Sequence, residues 1–343
     1  MRPLIIGGTG SLGKSLIKRL APRSERLVIY SRDEAKHWTI RNELLPTLSR
    51  YVVQPEFVVG DIRDQRRLHE TIRDYQPDTI IIAAALKQVD TCERSPFESV
   101  QTNLLGTQNV INAVEYDNSP VKSVLFVSTD KACSPVNVYG MSKSVSERLV
   151  TSRVASNTKI RYLATRYGNV LESRGSIVPL FKYQGMYNAE LTVTNPHMTR
   201  FIMTLDQSVD LIMYALEHGK AGETWIPRLP SMNIGDLANI FGEYYDRPVR
   251  IIGERPGEKL HEELVNASEW KRILDKHDDN HYVLAHALVH SSLRPPSRDE
   301  YSFNSNQVLL TKQDLKKYLE KLGIIDAALE SFVGLNIEEI RKQ

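Results

Sequence analysis

The sequence predicts an α/β fold: a doubly wound parallel sheet followed by a smaller second unit. Three observations predict it. Short apolar runs that read as strands alternate with helix-period patterns over residues 3–168. A glycine-rich turn, Gly7-Gly8-Thr9-Gly10-Ser11-Leu12-Gly13, separates the first such strand from the first such helix. After about residue 170 the strict alternation weakens.

The bulk numbers narrow the function classes. A chain of 343 residues can form a main domain plus a smaller one. Apolar content of 41% and charged content of 25% are ordinary for a globular protein. A net charge of +2 gives no basis for nucleic acid or an anionic membrane as partner. No apolar run approaches the ~20 residues of a membrane span. Cys92 and Cys133 lack metal-ligand spacing and no histidine cluster is present, so no metal is expected and both thiols are expected to be reduced. The chain enters a strand at once, leaving no room for a signal peptide, so the expectation is a cytoplasmic enzyme.

Taken in order, Leu4-Ile5-Ile6 reads as a buried strand, and Leu12, Leu16, Ile17 and Leu20 mark the helix after the glycines. Gly7, Gly10 and Gly13 between strand and helix permit a tight turn and close approach to a pyrophosphate at the helix N-terminus, with Thr9, Ser11 and Leu12 beside it. This predicts a Rossmann-type dinucleotide site. The second strand, residues 26–30, ends in Ser31-Arg32-Asp33, with Lys36 one turn on. A hydroxyl and a guanidinium suit a 2′-phosphate and favour NADP; the alternative is that Asp33 binds the ribose and Arg32 is a surface charge. The third strand ends near Asp61-Ile62. Asp61 is placed either at the adenine ring or as a helix N-cap. Thr79-Ile80-Ile81-Ile82-Ala83-Ala84-Ala85 reads as an apolar fourth strand whose alanines let backbone pass close to the cofactor, and Lys87 follows it into the ligand crevice. Residues 95–116 read as one long helix. Asn103 inside it is either solvated or a structural partner for active-site backbone.

The fifth strand, Val124-Leu125-Phe126-Val127, runs into Ser128-Thr129-Asp130-Lys131-Ala132 and then Tyr139-Gly140-Met141-Ser142-Lys143. Tyr139 and Lys143 share one face of a helix. A nearby ammonium favours the phenolate, which then takes a hydroxyl proton while NADP accepts hydride. Asp130 and Lys131 are superfluous for hydride transfer alone. Oxidising a sugar hydroxyl acidifies the neighbouring C–H; an amine can remove that proton while a carboxylic acid protonates a leaving hydroxyl. Both can face one sugar only if the loop after Val127 bends. A sixth strand at residues 161–167 precedes Gly168-Asn169. Beyond it, residues 204–218 and the stretch from Asn233 read as helices, 255–259 as a charged turn, 293–306 as a surface loop and 311–333 as a last helical region.

The motifs GGTGSLG (7–13), SRDE (31–34), STDKA (128–132), YGMSK (139–143), RYGNV (166–170), SRGS (173–176), MTRF (198–201) and RPGEKLHE (255–262) resemble the extended short-chain dehydrogenase/reductase family. Within it the chain is similar to the soluble, C5-inverting UDP-N-acetylglucosamine 4,6-dehydratases. The resemblance implies tightly held NADP, UDP-N-acetylglucosamine as substrate and a homo-oligomer. It implies an NADP-binding domain over residues 1–170, with Ser128 joining the cofactor contacts, and a mainly nucleotide-sugar domain over 171–343 with some segments returning to the main sheet. By the same resemblance Tyr139 with Lys143 oxidises C4, Lys131 is the C5 base, Asp130 is the acid that expels the C6 hydroxyl, and Thr129 belongs to the catalytic set. Lys87, Thr129, Asn169, Val178, Arg200, Arg255 and Glu258 are implied to touch sugar or UDP, the two arginines as pyrophosphate contacts or else surface cations. Two positions depart from the pattern. Glu172 stands where a glycine is expected, and His197 where an acid is expected.

Overall fold

Strands whose side chains are all buried build the sheet centre, as both faces of a parallel sheet must be covered. They are β1 (Pro3–Ile6), β2 (Val28–Ser31) and β4 (Thr79–Ile82). The less buried β3 (Glu56–Val59) forms one edge. β5 (Ser123–Val127) and β6 (Arg161–Thr165) extend the sheet the other way, followed by Thr224–Pro227 and His281–Leu284. Only the last of these pairs antiparallel. The structure, a computed structural model, describes residues 1–48, 52–116, 118–156, 159–274, 279–288 and 301–325.

The chain runs from β1 outward through β2 to β3, then returns to β4 on the other side of β1. The connections after β1 and β4 therefore diverge, which opens a crevice at their carboxyl ends. The fourth strand stops at Ile82 rather than at Ala85. Ile82 pairs with the last residue of β1, Ile6, and Ala83 N donates to Ile6 O at 2.9 Å. Ala83–Ala85 then leave the sheet and become crevice wall. Gly7 turns away from β1 at φ +84°, and a Cβ there would lie 2.5 Å from Ala84 N. Only glycine lets the two turns approach so closely.

The expected long helix is three consecutive pieces: Pro96–Ser99, a π-helical turn at Val100–Leu105, and Gly106–Val114. The π turn holds Asn103. Later, helices Ile177–Tyr187, Leu205–His218 and Ile234–Tyr245 stand among short strands, and Thr204 with Gln207 forms a capping box for the second. The expected loop at 293–306 is corrected in part. Phe303 is buried, and Phe303–Asn304 pairs with Glu263–Val265, because an aromatic ring on a Ser/Asn-rich stretch gains by joining a sheet edge. Residues 293–300 and 326–333 lie outside the described residues; the last helix described is Lys312–Lys321. Among the described residues no helix is long and apolar enough to cross a membrane.

Arg166, just past β6, is fully enclosed. It binds Glu147 at 3.1 and 2.6 Å, Glu269 at 2.7 and 2.8 Å, and Leu264 O at 2.9 Å. Burial pushes Glu269 up, but Arg166 outweighs this and holds the carboxyl at about 2. Removing only the cation leaves two buried carboxylates, so Arg166→Met is expected to cost ~3–5 kcal/mol in urea unfolding. The triple change Arg166→Met, Glu147→Gln, Glu269→Gln is expected to recover most of it. A loss below ~1 kcal/mol for the single change contradicts this account.

Candidate active site

The crevice widens into a cavity of about 490 Å³. Its walls include Gly7, Thr9, Gly10, Ser11, Leu12, Gly13, Ser31, Arg32, Lys36, Asp61, Ile62, Ala83, Ala84, Ala85, Lys87, Ser128, Thr129, Tyr139 and Lys143. Helix Ser11–Leu20 starts at Gly10 without a side-chain cap, and the nearest atom a Cβ on Gly10 would meet is Gly7 O at 3.7 Å. Free N–H groups and open space therefore face the cavity at a positive helix end. Ser31 Oγ shares a hydrogen with Thr9 Oγ1 at 2.9 Å.

Named contacts place the acids at the ends of the second and third strands. Asp33 caps helix Glu34–Thr39 by accepting from Lys36 N at 3.0 Å, and its other oxygen binds Lys36 Nζ. Asp33 is thus engaged, while Arg32 is exposed, 3.8 Å from Asp61. Asp61 is not a helix N-cap: Asp64 caps helix Gln65–Tyr75, and Asp61 binds the Arg63 guanidinium at 3.1 and 2.8 Å. Asn103 does not line the cavity. It stands behind it, accepting from Leu86 N at 2.8 Å and donating to Leu86 O at 3.0 Å and Ser142 Oγ at 3.0 Å. One amide thus ties the turn after β4 to the helix Val138–Ser152 that carries Tyr139 and Lys143.

The bend after Val127 is present. Thr129 caps a single 3₁₀ turn, Asp130–Ala132, which swings Asp130 and Lys131 to one side. Lys131 Nζ lies 3.2 Å from Asp130 Oδ1, and Thr129 Oγ1 donates to the same oxygen at 2.9 Å. Asp130 is 1% exposed, and its Oδ2 lacks a hydrogen-bond partner. Gly140 lets the helix pack on this turn; a Cβ there would collide with Lys131 O.

The charges depart from the expectation in one respect. Burial pushes the Tyr139 phenol up to about 12, against the opposing pull of Lys131, so the phenol is neutral in this site. The cation that acts on Tyr139 is Lys131. Lys143 is drawn down to about 7 by burial, donates to Val127 O at 2.6 Å and sits 3.8 Å over the Phe126 ring. Burial also raises Asp130, only partly offset by Lys131. Lys131 itself stays above the ordinary lysine value, because Asp130 and Glu262 together outweigh its burial.

Glu262 was missed from sequence, although it closes the RPGEKLHE motif. Its Oε1 lies 3.1 Å from Lys131 Nζ. Arg200 is buried behind it, donating to Thr199 O at 2.8 Å and 3.9 Å from Glu262, and does not line the cavity. Lys87 Nζ reaches Arg174 O at 2.5 Å, and Arg174 N donates to Ser11 Oγ at 3.2 Å, so the loop after Val170 crosses the helix end. Arg255 pairs with Asp90 at 3.0 Å and Glu258 at 3.7 Å, away from the cavity wall. Asn169 belongs to the short strand Asn169–Val170, and Val178 is fully buried in the apolar cluster around Phe181 and Phe241. Glu172 adopts φ +58°, the left-handed region glycine favours, which accounts for the glycine expected there. Its carboxylate binds buried Lys182 at 2.8 Å. His197 is exposed.

A family model described as "Polysaccharide biosynthesis protein" matches residues 4–284. The chain belongs to this polysaccharide biosynthesis family. Its fold is that of the extended short-chain dehydrogenase/reductases. Within the family it is 40% identical over 290 residues to a UDP-N-acetylglucosamine 4,6-dehydratase (inverting) of Campylobacter jejuni, covering 83% of each chain. It is 36% identical to a UDP-glucose 4-epimerase of Rickettsia akari, covering 96% of this chain and 98% of that one. The X-ray structure of Pen from Bacillus thuringiensis superposes with a TM-score of 0.84 at 32% identity, over 94% of this chain and 98% of Pen.

Lys143 allows a test of the site's electrostatics. An unfolded lysine titrates near ~10.4, so between pH 7 and ~10 the unfolded chain binds the extra proton and stability rises with pH. Lys143→Met removes this penalty. The cofactor-free variant is expected to melt a few degrees higher than wild type at pH 7, with the difference shrinking towards pH 10. An equal or lower melting temperature at pH 7 contradicts it.

Proposed function

We propose that the chain is a UDP-N-acetylglucosamine 4,6-dehydratase that inverts C5 and works with NADP. The observation that carries the reading is the pair Asp130 and Lys131, held 3.2 Å apart beside Tyr139. Hydride transfer alone has no use for an acid and an amine there. The 40% identical relative named for this reaction supports it.

The residues fit a dinucleotide. Gly7 admits no side chain, the helix at Gly10 is uncapped, and the buried Ser128 Oγ lacks a partner. Ser31 and Arg32 would hold a 2′-phosphate, with Lys36 turning to it from Asp33, which supports NADP over NAD. When bound, the nicotinamide supplies a temporary home for the C4 hydride, returned at C6. Residues 1–170 would hold this group and 171–343 mainly the nucleotide sugar.

The chain's own residues move the protons. Tyr139 first releases its phenolic proton to solvent, and the phenolate then takes the C4 hydroxyl proton; each cation brought beside the phenol lowers the cost of that ionisation, as Lys131 already does. Lys131 is an ammonium at rest and becomes a base by handing its proton to Asp130. A substrate covering the pair drives water out, and a drier site favours the neutral amine and carboxylic acid over the ion pair. Lys131 Nζ then takes the C5 proton as Asp130 gives its proton to the C6 hydroxyl, which leaves as water. The ion pair is restored. A proton arriving at C5 from the other face inverts that centre.

The runner-up is a nucleotide-sugar 4-epimerase, favoured by relatives of that name at 36–39% identity. It leaves Asp130 and Lys131 without a task. Proton NMR of the product from UDP-N-acetylglucosamine in D₂O separates the two. The expected product is the 4-keto-6-deoxy L-arabino sugar with deuterium at C5; a C4 epimer with no keto-deoxy signal supports the epimerase, and retained D-configuration removes inversion. Asp130→Asn and Lys131→Ala are each expected to slow formation of this product by ~10²-fold or more, and full turnover in either contradicts the roles assigned.

A further inference from the structure

Glu262 is as close to the Lys131 ammonium as Asp130 is, 3.1 Å against 3.2 Å. It is 2% exposed. Its backbone is pinned by Ser305: Glu262 N donates to Ser305 Oγ at 3.0 Å, and Ser305 N donates to Glu262 O at 2.8 Å. Ser305 Oγ in turn donates to Thr199 O at 3.1 Å, next to Arg200. The position of Glu262 is therefore imposed by neighbouring strands, independently of Lys131. Among the described residues its Oε2 has no hydrogen-bond partner, and it stands 3.9 Å from Lys259 Nζ. A glutamate kept only for stability would be satisfied at both oxygens, as Glu147 and Glu269 are on Arg166.

We propose that Glu262 is a positioning residue for the Asp130–Lys131 pair: its carboxylate holds the Lys131 ammonium beside Asp130 and fixes how many protons the pair carries at neutral pH. The catalytic consequence rests on the dehydratase reading. Dehydration needs one proton shared by the pair. With two, Lys131 is no base; with none, Asp130 is no acid. The groups facing the pair are the Tyr139 phenol, the Thr129 hydroxyl and the Arg200 guanidinium from strand Thr199–Met203, while Lys259 stands on the Glu262 carboxylate. Arg200 lowers Lys131, and Lys259 is one more cation on the same carboxylate. Without Glu262, Lys131 would face Arg200 with Asp130 as its only counter-charge among the described residues. Glu262 favours the protonated form of both members, so it raises both limits of the active window.

The test compares wild type, Glu262→Gln and Glu262→Asp in dehydration of UDP-N-acetylglucosamine across pH. In Glu262→Gln both limbs of the kcat profile are expected to move to lower pH by about one unit or more. On the alkaline limb its kcat is expected to fall about tenfold at a given pH, with KM little changed. Glu262→Asp keeps the charge and is expected to keep the wild-type window at reduced kcat. An unmoved window in folded Glu262→Gln overturns the proposal. If that variant does not fold, or if wild type forms no keto-deoxy sugar and the dehydratase reading fails, wild-type NMR decides. The ¹⁵Nζ signal of Lys131, assigned with Lys131→Arg, is expected to titrate above ~10.4, and titration at or below that value overturns it.

Discussion

A guanidinium enclosed by two carboxylates, out of reach of water, fixes the geometry of the whole active centre. Arg166 follows β6, Glu147 lies on the helix that carries Tyr139 and Lys143, and Glu269 lies just beyond the strand that begins after Glu262. Three distant segments meet at one cation. None can shift without exposing charge to an apolar interior, which costs several kcal/mol. The helix bearing Tyr139 and Lys143 and the segment bearing Glu262 are thereby held in one register. Cys133 is packed into the same cluster, its Sγ donating to Glu269 Oε2 at 3.3 Å, immediately after the turn that presents Asp130 and Lys131.

Burial acts on every ionisable group of the site, and its partners decide the outcome. Lys143 has only Glu147 to oppose desolvation and is drawn towards neutrality. Lys131 has two carboxylates and stays charged. Asp130 and Glu262 share the same ammonium, yet they separate: burial raises Asp130, while Glu262, also buried, is held low by Lys131 first and then by Arg200 and Lys259 behind it. Two carboxyl groups pushed apart in this way are suited to different tasks, one to exchange a proton and one to remain a fixed charge.

What was legible in the sequence follows the range of the interactions. The cradle of Gly7, Gly10 and Gly13 is a local backbone requirement, so spacing alone revealed it. Asn103 was visible because a mid-helix amide needs a reason. The π turn that aims it was not, since no residue type marks one. Asp61 was one candidate for an N-cap, and only the structure shows that Asp64, three residues on, holds that place. The fourth strand was overdrawn because alanines after Ile82 are as apolar as strand residues, and the end of pairing with β1 decides where it stops. Glu262 and the partners of Arg166 were hidden because the contact that gives each its meaning lies far along the chain. The phenol's ionisation was misjudged because Tyr-x-x-x-Lys spacing says nothing about desolvation.

The latch between Ser305 and Glu262 bears on how the protein is made. Asp130, Lys131, Tyr139 and Lys143 leave the ribosome early and can assemble on their sheet. The serine that fixes the backbone of Glu262 is translated well after all four. Until then Lys131 lacks its second, anchored counter-charge. A nascent chain thus carries its acid, amine and phenol before the residue that anchors their second carboxylate has been added.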